Sequence, residues 1–334
     1  MIFAPSGLSP NVTLPGKCFL LPSGHNIKKK IAEYRTGALQ LATLFANRRM
    51  KRNAEGTKLD LETLIDTPPW DWPSDAGKMF QDILNDRLAP EPDRLIAAEL
   101  AGDSTVINDD LADALMAIVR DAEEPDKLRA RAAIALGPVL EQADMDGFED
   151  PDDVPIAERT FRNIQDTLHG LYLDKSNPKE VRRRILEASV RAPEDWHQNA
   201  IMEACSDGDK DWSLTAVFSM RWVRGFDKQI LEALKSADSE IHYEAVNAAG
   251  NWELEAAWPH IIGLLIDART PKPLLLAAIG AASSIRSQEA GEILMNLAAS
   301  DDEEIAEAAD EALAMSEPMS DEEDDEGDAS EWIN

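Results

Sequence analysis

Histidines and cysteines are the side chains of this sequence best suited to acid–base, nucleophilic or metal chemistry, and they are few. The five histidines are His25, His169, His197, His242 and His260, and the two cysteines are Cys18 and Cys205. None of the histidines has the His-Glu-x-x-His spacing that places two zinc ligands on one helix face. The chain also lacks a nucleophile elbow and a phosphate-binding P-loop. We therefore expect no catalytic residue, no cofactor and no metal site.

One acid–base pair can be imagined, because Asp195 and His197 lie two residues apart. The run Pro193-Glu194-Asp195 is, however, a typical helix start, where acids interact favourably with the helix dipole. A helix start explains these acids more simply than catalysis does. Cys205 is interpreted as a small buried apolar residue.

The segment 194–260 holds five of the eight tryptophans. Two interpretations of it stay open. The aromatic residues fill gaps between irregular repeats, or they line a groove that accepts an apolar side chain or a flat ligand. The candidate partner-binding residues are Trp196, His197, Trp212, Trp222, His242, Tyr243 and Trp252.

Six degenerate copies of one helix must position these side chains. Every copy has a small residue seven positions after its start, and five of the six have alanine four positions after it. The copies start at Leu128, Val181, Trp212, Ile241, Pro273 and Ile305. The last four spacings are 31, 29, 32 and 32 residues. A period of about 30 residues with one close-packing stripe predicts stacked helix pairs in an α-solenoid.

Two copies share a charged pattern across the turn that precedes them. Asp121 lies eight residues before Arg129, and Asp174 lies eight residues before Arg182. We expect each aspartate and arginine to pair along the stack, because a carboxylate also suits the positive end of the following helix. The later copies lack the arginine, so a complete ladder is not expected.

The turn aspartate, the Val/Leu-Arg step and the ending Ala132-Ala133-Ile134-Ala135-Leu136-Gly137 resemble HEAT repeats. More narrowly, they resemble the short HEAT-like repeats named for phycobilin lyase subunits. The resemblance covers about residues 93–314 and implies an all-α, right-handed superhelical solenoid of six to seven helix pairs. Residues 66–73, Asp-Thr-Pro-Pro-Trp-Asp-Trp-Pro, are similar to the front of bacterial HEAT-repeat proteins.

This resemblance implies a fold more sharply than a function, because solenoids of this kind serve unrelated roles. The leading hypothesis is a non-catalytic scaffold or adaptor that binds a protein partner through its concave face. The alternative is a ligand-handling or modifying subunit similar to phycobilin lyase subunits, acting near His197 and His242. A solenoid DNA glycosylase is a third possibility, disfavoured by the acidic charge of the chain.

The composition divides the chain into four parts. Residues 1–49 are a basic extension, either a targeting or anion-binding arm or a mis-assigned start before Met50. Residues 50–91 hold a proline-rich strap, in which Trp70 and Trp72 are expected to cap the first helix, and a capping helix. Residues 92–315 form the solenoid, with an acidic insertion at 141–158 expected to be a solvated loop. Residues 316–334 are an acidic tail with an apolar tip, expected to be disordered and interpreted either as a docking peptide or as a solubilising tail.

The net charge of −31 over 334 residues excludes most non-specific nucleic-acid and anionic-lipid binders. A basic protein partner is the electrostatic expectation. No apolar run reaches the length of a membrane span. Two cysteines cannot build a disulfide framework, which fits a reducing compartment. We therefore expect a monomer in the bacterial cytoplasm.

Overall fold

A computed structural model describes residues 61–150 and 154–315. The predictions made for the basic extension, for residues 50–60 and for the acidic tail lie outside the described residues. All regular structure in the described residues is helical, which confirms the all-α solenoid. None of the helices described is long and apolar enough to cross a bilayer.

Fifteen α-helices follow one another within the described part of the chain. Their bounds are α1 Leu61–Ile65, α2 Ala76–Asn85, α3 Glu91–Leu100, α4 Asp109–Arg120, α5 Asp126–Ala135, α6 Gly137–Asp146, α7 Glu158–Leu173, α8 Lys179–Ser189, α9 Asp195–Ser206, α10 Lys210–Ser219, α11 Asp227–Ala233, α12 Ser239–Asn251, α13 Trp258–Ile266, α14 Lys272–Ala298 and α15 Glu303–Ala314. Short 3-10 turns at Pro69–Asp71 and Glu255–Ala257 precede α2 and α13. Seven helix pairs are built from this series.

The first helices of the pairs are α2, α4, α7, α9, α11, α13 and the second half of α14. The second helices are α3, α5, α8, α10, α12, the first half of α14, and α15. The backbone of α14 leaves helical geometry at Arg286, at φ −151° and ψ 70°. This kink stands where other pairs have a turn, so the last two pairs share one helix.

Each second helix begins in one of two ways. Four of them follow a proline N-cap, whose fixed φ suits an extended entry into a helix: Pro90, Pro125, Pro178 and Pro271. The other three follow an aspartate that accepts hydrogen bonds from two backbone N–H groups of the first turn: Asp209, Asp238 and Asp302. These residues fix a common register, and we count positions in each second helix from its N-cap as position 0.

The second helices lie on the inner side of the curve. Every second helix packs extensively on the next one along the stack. Among first helices, contacts of similar extent occur in the described residues only between α2 and α4 and between α4 and α7. A layer whose helices approach more closely than those of the other layer must be concave, so the second helices form the concave face.

Small residues let the second helices approach. In the six second helices after α3, position 10 holds Ala135, Ala188, Ser219, Ala248, Ala281 and Ala312, all of them buried. A glycine at position 12 meets the position-10 residue of the next helix in three places: Gly102 on Ala135, Gly137 on Ala188 and Gly250 on Ala281. The predicted small-residue stripe is therefore present. Its fifth copy starts at Leu274 rather than Pro273, because the N-cap is Pro271, and Ala281 rather than Gly280 occupies the stripe.

The two tryptophans of the strap before α2 differ in burial. Trp72 is 3% exposed, contacts Phe80 edge-on, and its indole N–H donates to the carbonyls of Leu64 and Thr67. It therefore holds α1 to the first pair as a cap. Trp70 is 64% exposed, so the expectation that both tryptophans dock is wrong for Trp70.

The insertion begins as a packed helix. The sequence predicts that the second helix of its pair ends at Gly137-Pro138, but α5 ends at Ala135 and Pro138 lies in the first turn of α6, a position proline favours. The apolar residues Val139, Leu140 and Ala143 of α6 are buried, as is Ile156 beyond it. The expectation of a solvated loop over 141–158 is thus wrong for residues 141–146.

Candidate binding surface of the second helices

Position 4 of the second helices is an arginine in the first three repeats. Arg94, Arg129 and Arg182 each donate to the backbone carbonyl ten residues earlier, at 3.0, 3.1 and 2.9 Å. The acceptors are the last-but-one residues of the preceding first helices: Leu84, Val119 and Tyr172. Carbonyls in the last turn of a helix have no intrahelical partner. Each arginine therefore caps the helix before its own.

This capping corrects the predicted Asp–Arg pairs. The structure does not pair Asp121 with Arg129, because the guanidinium of Arg129 reaches the carbonyl of Val119 and, at 2.6 Å, the side-chain oxygen of Asn177. Asp121 accepts a hydrogen bond from the Glu123 N–H instead and pairs with Arg87. The Glu123 N–H and, more weakly, the two arginines lower the pKa of Asp121.

The second predicted pair differs in the same way. Asp174 accepts hydrogen bonds from the N–H and the hydroxyl of Ser176, which lower its pKa. The Arg182 guanidinium lies instead between two rings, 5.0 Å from the centre of Tyr172 and 5.4 Å from the centre of Trp212. Trp212 is correspondingly buried and serves as packing between repeats.

His197 is fully buried in the described structure. Its Nδ1 accepts a hydrogen bond from the Glu194 N–H at 2.8 Å, and Nε2 lies 3.0 Å from the Ser189 hydroxyl. Since Nδ1 acts as an acceptor, Nε2 carries the proton and donates to Ser189. Burial lowers the pKa of His197 to about 4. The ring is a neutral helix cap, and no face of it is open to a ligand.

Trp196 belongs to the outer layer of first helices. Its ring stacks on His169 of α7 with centroids 4.5 Å apart and planes inclined by 6°, and it leans on Tyr172 at 5.2 Å. Its indole N–H donates to the Glu194 carboxylate at 3.0 Å. Trp196 therefore joins two first helices and does not share a surface with Trp222.

His242 occupies position 4 of α12, where the earlier repeats have arginine. Its Nε2 lies 2.7 Å from Nε2 of His260 in α13, which makes a hydrogen bond between the two imidazoles. Burial and the neighbouring imidazole lower the pKa of His242, and burial lowers that of His260. Tyr243, the next residue, is half-buried on α12, and its carbonyl accepts from Asn247. The described residues contain no group of three or more potential metal ligands.

Trp222 lies between two guanidinium groups at the concave edge. Its ring centre is 5.2 Å from the guanidinium carbon of Arg191 and 5.0 Å from that of Arg221, and Phe218 leans on it at 4.8 Å. Trp222 is half-buried, whereas Arg224 beside it is exposed and lies 4.4 Å over the ring of Trp252. We call Arg191, Arg221, Trp222 and Arg224 the arginine–tryptophan edge.

Two half-buried glutamates accompany this edge. Arg191 donates to Glu141 of α6 at 2.9 Å, and Arg221 donates to Glu244 of α12 at 3.4 Å. Glu244 has 15% of its side chain exposed, and burial raises its pKa despite Arg221. The Nε atoms of Arg191 and Arg221 are buried and have no hydrogen-bond partner among the described residues.

A second charged group lies one repeat earlier on the same face. The carboxylate of Glu187 accepts hydrogen bonds from Arg184 and from the Thr215 hydroxyl, both at 2.6 Å. Arg183 donates to the same threonine at 2.9 Å. This network joins α8 to α10. With the arginine–tryptophan edge it forms the polar centre of the concave face.

The sequence predictions named tryptophans that lie at this edge but did not name its charged residues. Trp222 and Trp252 lie at the edge as candidate partner-binding residues, whereas Trp196, His197 and Trp212 are packed elsewhere. Arg191, Arg221 and Glu244 were not predicted, because single charged residues at irregular spacing give no motif. Arg191 and Arg221 follow neighbouring second helices at positions 13 and 12, a relation that is visible only once the N-caps are known.

No family model and no curated protein matches this sequence. Among solved structures, human deoxyhypusine hydroxylase is 15% identical over 84% of this chain and 98% of its own, with a TM-score of 0.37. The Escherichia coli protein YibA is 16% identical over 80% of this chain and 94% of its own, with a TM-score of 0.38. A designed armadillo repeat protein is 15% identical over 72% of this chain and 99% of its own, with a TM-score of 0.30.

These similarities lend this chain neither an activity nor a partner. The class is defined by the structure itself, through seven stacked helix pairs with their second helices in one register. The protein is an all-α solenoid of stacked helix pairs.

Proposed function

We propose that the protein is a non-catalytic scaffold that binds a protein partner through its concave face. The observation that carries this proposal is Trp222, which is half-buried between Arg191 and Arg221 on the inner edge. Tryptophan and arginine are the residues that most often dominate the binding energy of protein interfaces. Their neighbours hold them rigidly, so little conformational entropy is lost when a partner binds.

The charge of the concave face changes sign along the stack and suggests the polarity of the partner. Arg131 and Arg184 occupy position 6 in the earlier repeats, whereas Glu244 holds that position in α12. In α15 the exposed residues Glu307 and Glu311 follow. A partner with a basic segment is expected to bind the later repeats, where carboxylates steer its approach.

The ligand-handling alternative relies on two histidines that the protein already uses. His197 has both ring nitrogens bonded to Glu194 and Ser189, and His242 directs Nε2 to His260. A ligand would have to break one of these internal hydrogen bonds. No observation in the described residues favours this function over the scaffold.

The test is capture of partners on the tagged full chain, followed by purification of the captured protein and titration calorimetry. We expect Trp222→Ala to weaken binding at least tenfold, which corresponds to about 1.4 kcal/mol. The matched control is Trp70→Ala, because Trp70 is exposed at the far end of the stack. Circular dichroism must show that both variants are folded. Equal affinity of both variants and the wild type would refute a partner site at Trp222.

A further inference from the structure

The arginine–tryptophan edge has donors that the described residues leave unused. Arg221 is only 7% exposed, yet its Nε has no hydrogen-bond partner, and the same holds for Nε of Arg191. Arg224 has no ion pair with any described residue. A buried donor without a partner costs about 1–3 kcal/mol. Such a cluster, in a chain of net charge −31, is suited to binding carboxylates.

Glu141 and Glu244 neutralise only part of the positive charge of the arginine–tryptophan edge. Glu141 and Glu244 each reach only one nitrogen of their arginine, Nη1. Burial and Glu187 raise the pKa of Glu244, which favours its neutral form. Part of the positive charge of Arg221 is therefore left for another carboxylate.

The C-terminal tail leaves the solenoid at this same edge. Trp222 stands at position 13 counted from Asp209, and Met315 stands at position 13 counted from Asp302. Second helices of a solenoid run parallel, so their C-terminal ends lie along one edge. The steps from α10 to α12, α14 and α15 are direct helix contacts. At about 8–10 Å per step, Met315 lies about 24–30 Å from Trp222.

The spacing of the acids in the tail matches this distance. Residues 316–334 contain nine acids and no lysine or arginine, and six of the acids are consecutive, from Asp321 to Glu326. At about 3.3 Å per residue, an extended chain starting at Met315 would reach about 20–36 Å over this run. The tail is therefore long enough to bring the run to the arginine–tryptophan edge.

We propose that the acidic run 321–326 binds in cis to Arg191, Arg221 and Arg224 and covers Trp222. The carboxylates pair with the exposed guanidinium of Arg224 and with the accessible part of the Arg191 and Arg221 guanidinium groups. The tail then occupies the surface that a partner would need and must be displaced before that partner binds Trp222. The contact itself exists without any partner, so its test is independent of the proposed function.

The experiment uses the full chain labelled with 5-fluorotryptophan and observed by fluorine NMR. The resonances of Trp222 and Trp70 are assigned with Trp222→Phe and Trp70→Phe. In the tail-neutral variant, the six acids 321–326 become asparagine or glutamine. We expect this variant to shift the Trp222 resonance and to leave that of Trp70 in place. High salt should produce the same change in the wild type, because it screens the contact.

A double-mutant cycle separates direct contact from a general charge effect. Neutralising the tail should no longer shift Trp222 in an Arg224→Glu background, but should still do so in a Lys228→Glu background. Both backgrounds reverse an exposed cation, and Lys228 lies on α11 in the outer layer. The proposal is overturned if neutralising the tail leaves the chemical shift of Trp222 unchanged. It is also overturned if neutralising the tail shifts Trp222 equally in the Arg224→Glu and Lys228→Glu backgrounds. A shift that depends on protein concentration assigns the contact to a second copy and also overturns it.

Discussion

Glycine-to-alanine substitution at Gly250 should destabilise the protein, although alanine is the better helix former. A Cβ at this position would lie 2.8 Å from Cα and 3.0 Å from Cβ of Ala281 in α14. Carbon atoms prefer about 3.5–4.0 Å, so the two second helices would have to separate by several tenths of an ångström. Both contacted atoms belong to or adjoin the backbone, and no rotamer change can relieve them.

The expected magnitude follows from two opposing terms. Overpacking a well-packed site costs about 1–3 kcal/mol, and replacing glycine by alanine inside a helix gains up to about 1 kcal/mol. We therefore expect Gly250→Ala to lower the free energy of unfolding by about 0.5–2 kcal/mol. Near the end of a helix the gain is smaller than in its middle, so the loss should dominate.

The matched control is Gly170→Ala in α7. Gly170 is exposed, and a Cβ there meets no atom within 4 Å. This variant should gain up to about 1 kcal/mol through helix propensity alone. The assay is urea unfolding followed by circular dichroism, with the midpoints compared at an unchanged slope. If Gly250→Ala were as stable as Gly170→Ala, the close approach of α12 and α14 would be refuted.

Three further predictions concern buried polar groups. Glu124→Gln should destabilise the protein by about 3–5 kcal/mol, because it leaves Arg94 buried without its carboxylate; urea unfolding measures this loss. His197 is neutral in the folded state down to about pH 4, whereas the unfolded chain binds its proton below about pH 6.5. Its contribution to stability is therefore complete above pH 6.5 and falls by up to about 3 kcal/mol as the pH drops to 4, and His197→Gln should remove this dependence in thermal melts taken across that range. Trp72→Phe should cost about 1 kcal/mol through the lost indole hydrogen bonds to Leu64 and Thr67, measured as a lower urea midpoint, while Trp70→Phe should cost nothing measurable.

The helical repeat was predictable because its signal is summed over many residues. A small residue recurs at position 10 of all six copies and alanine at position 7 of five of them, and the core they form depends only on size and spacing. The register of the fifth copy was missed by one residue because Pro271 and Pro273 both look like helix starts. The two prolines are told apart only by the extended backbone at Pro271, which is a property of the folded chain.

The charged contacts were less predictable because each one has several acceptors within reach. Arg129 lies eight residues from Asp121, yet the carbonyl of Val119 and the Asn177 side chain bind it instead. A long side chain selects among such acceptors by geometry that sequence spacing does not contain. The insertion shows the same limit, since the acids after Gly137 suggested a loop while Val139 and Leu140 anchor a helix.

Position 4 of the second helices makes different contacts in different repeats, because its side chain changes from arginine to histidine. In the first three repeats an arginine caps the preceding helix and also reaches into the next repeat. In α12 the shorter His242 cannot repeat this double contact, and it bonds only forward, to His260. The contact between α12 and α13 therefore includes an imidazole pair, whereas the corresponding contacts of the earlier repeats include guanidinium groups that stay charged at any physiological pH. Two protonated imidazoles would repel each other at 2.7 Å, so we expect acid to weaken this contact.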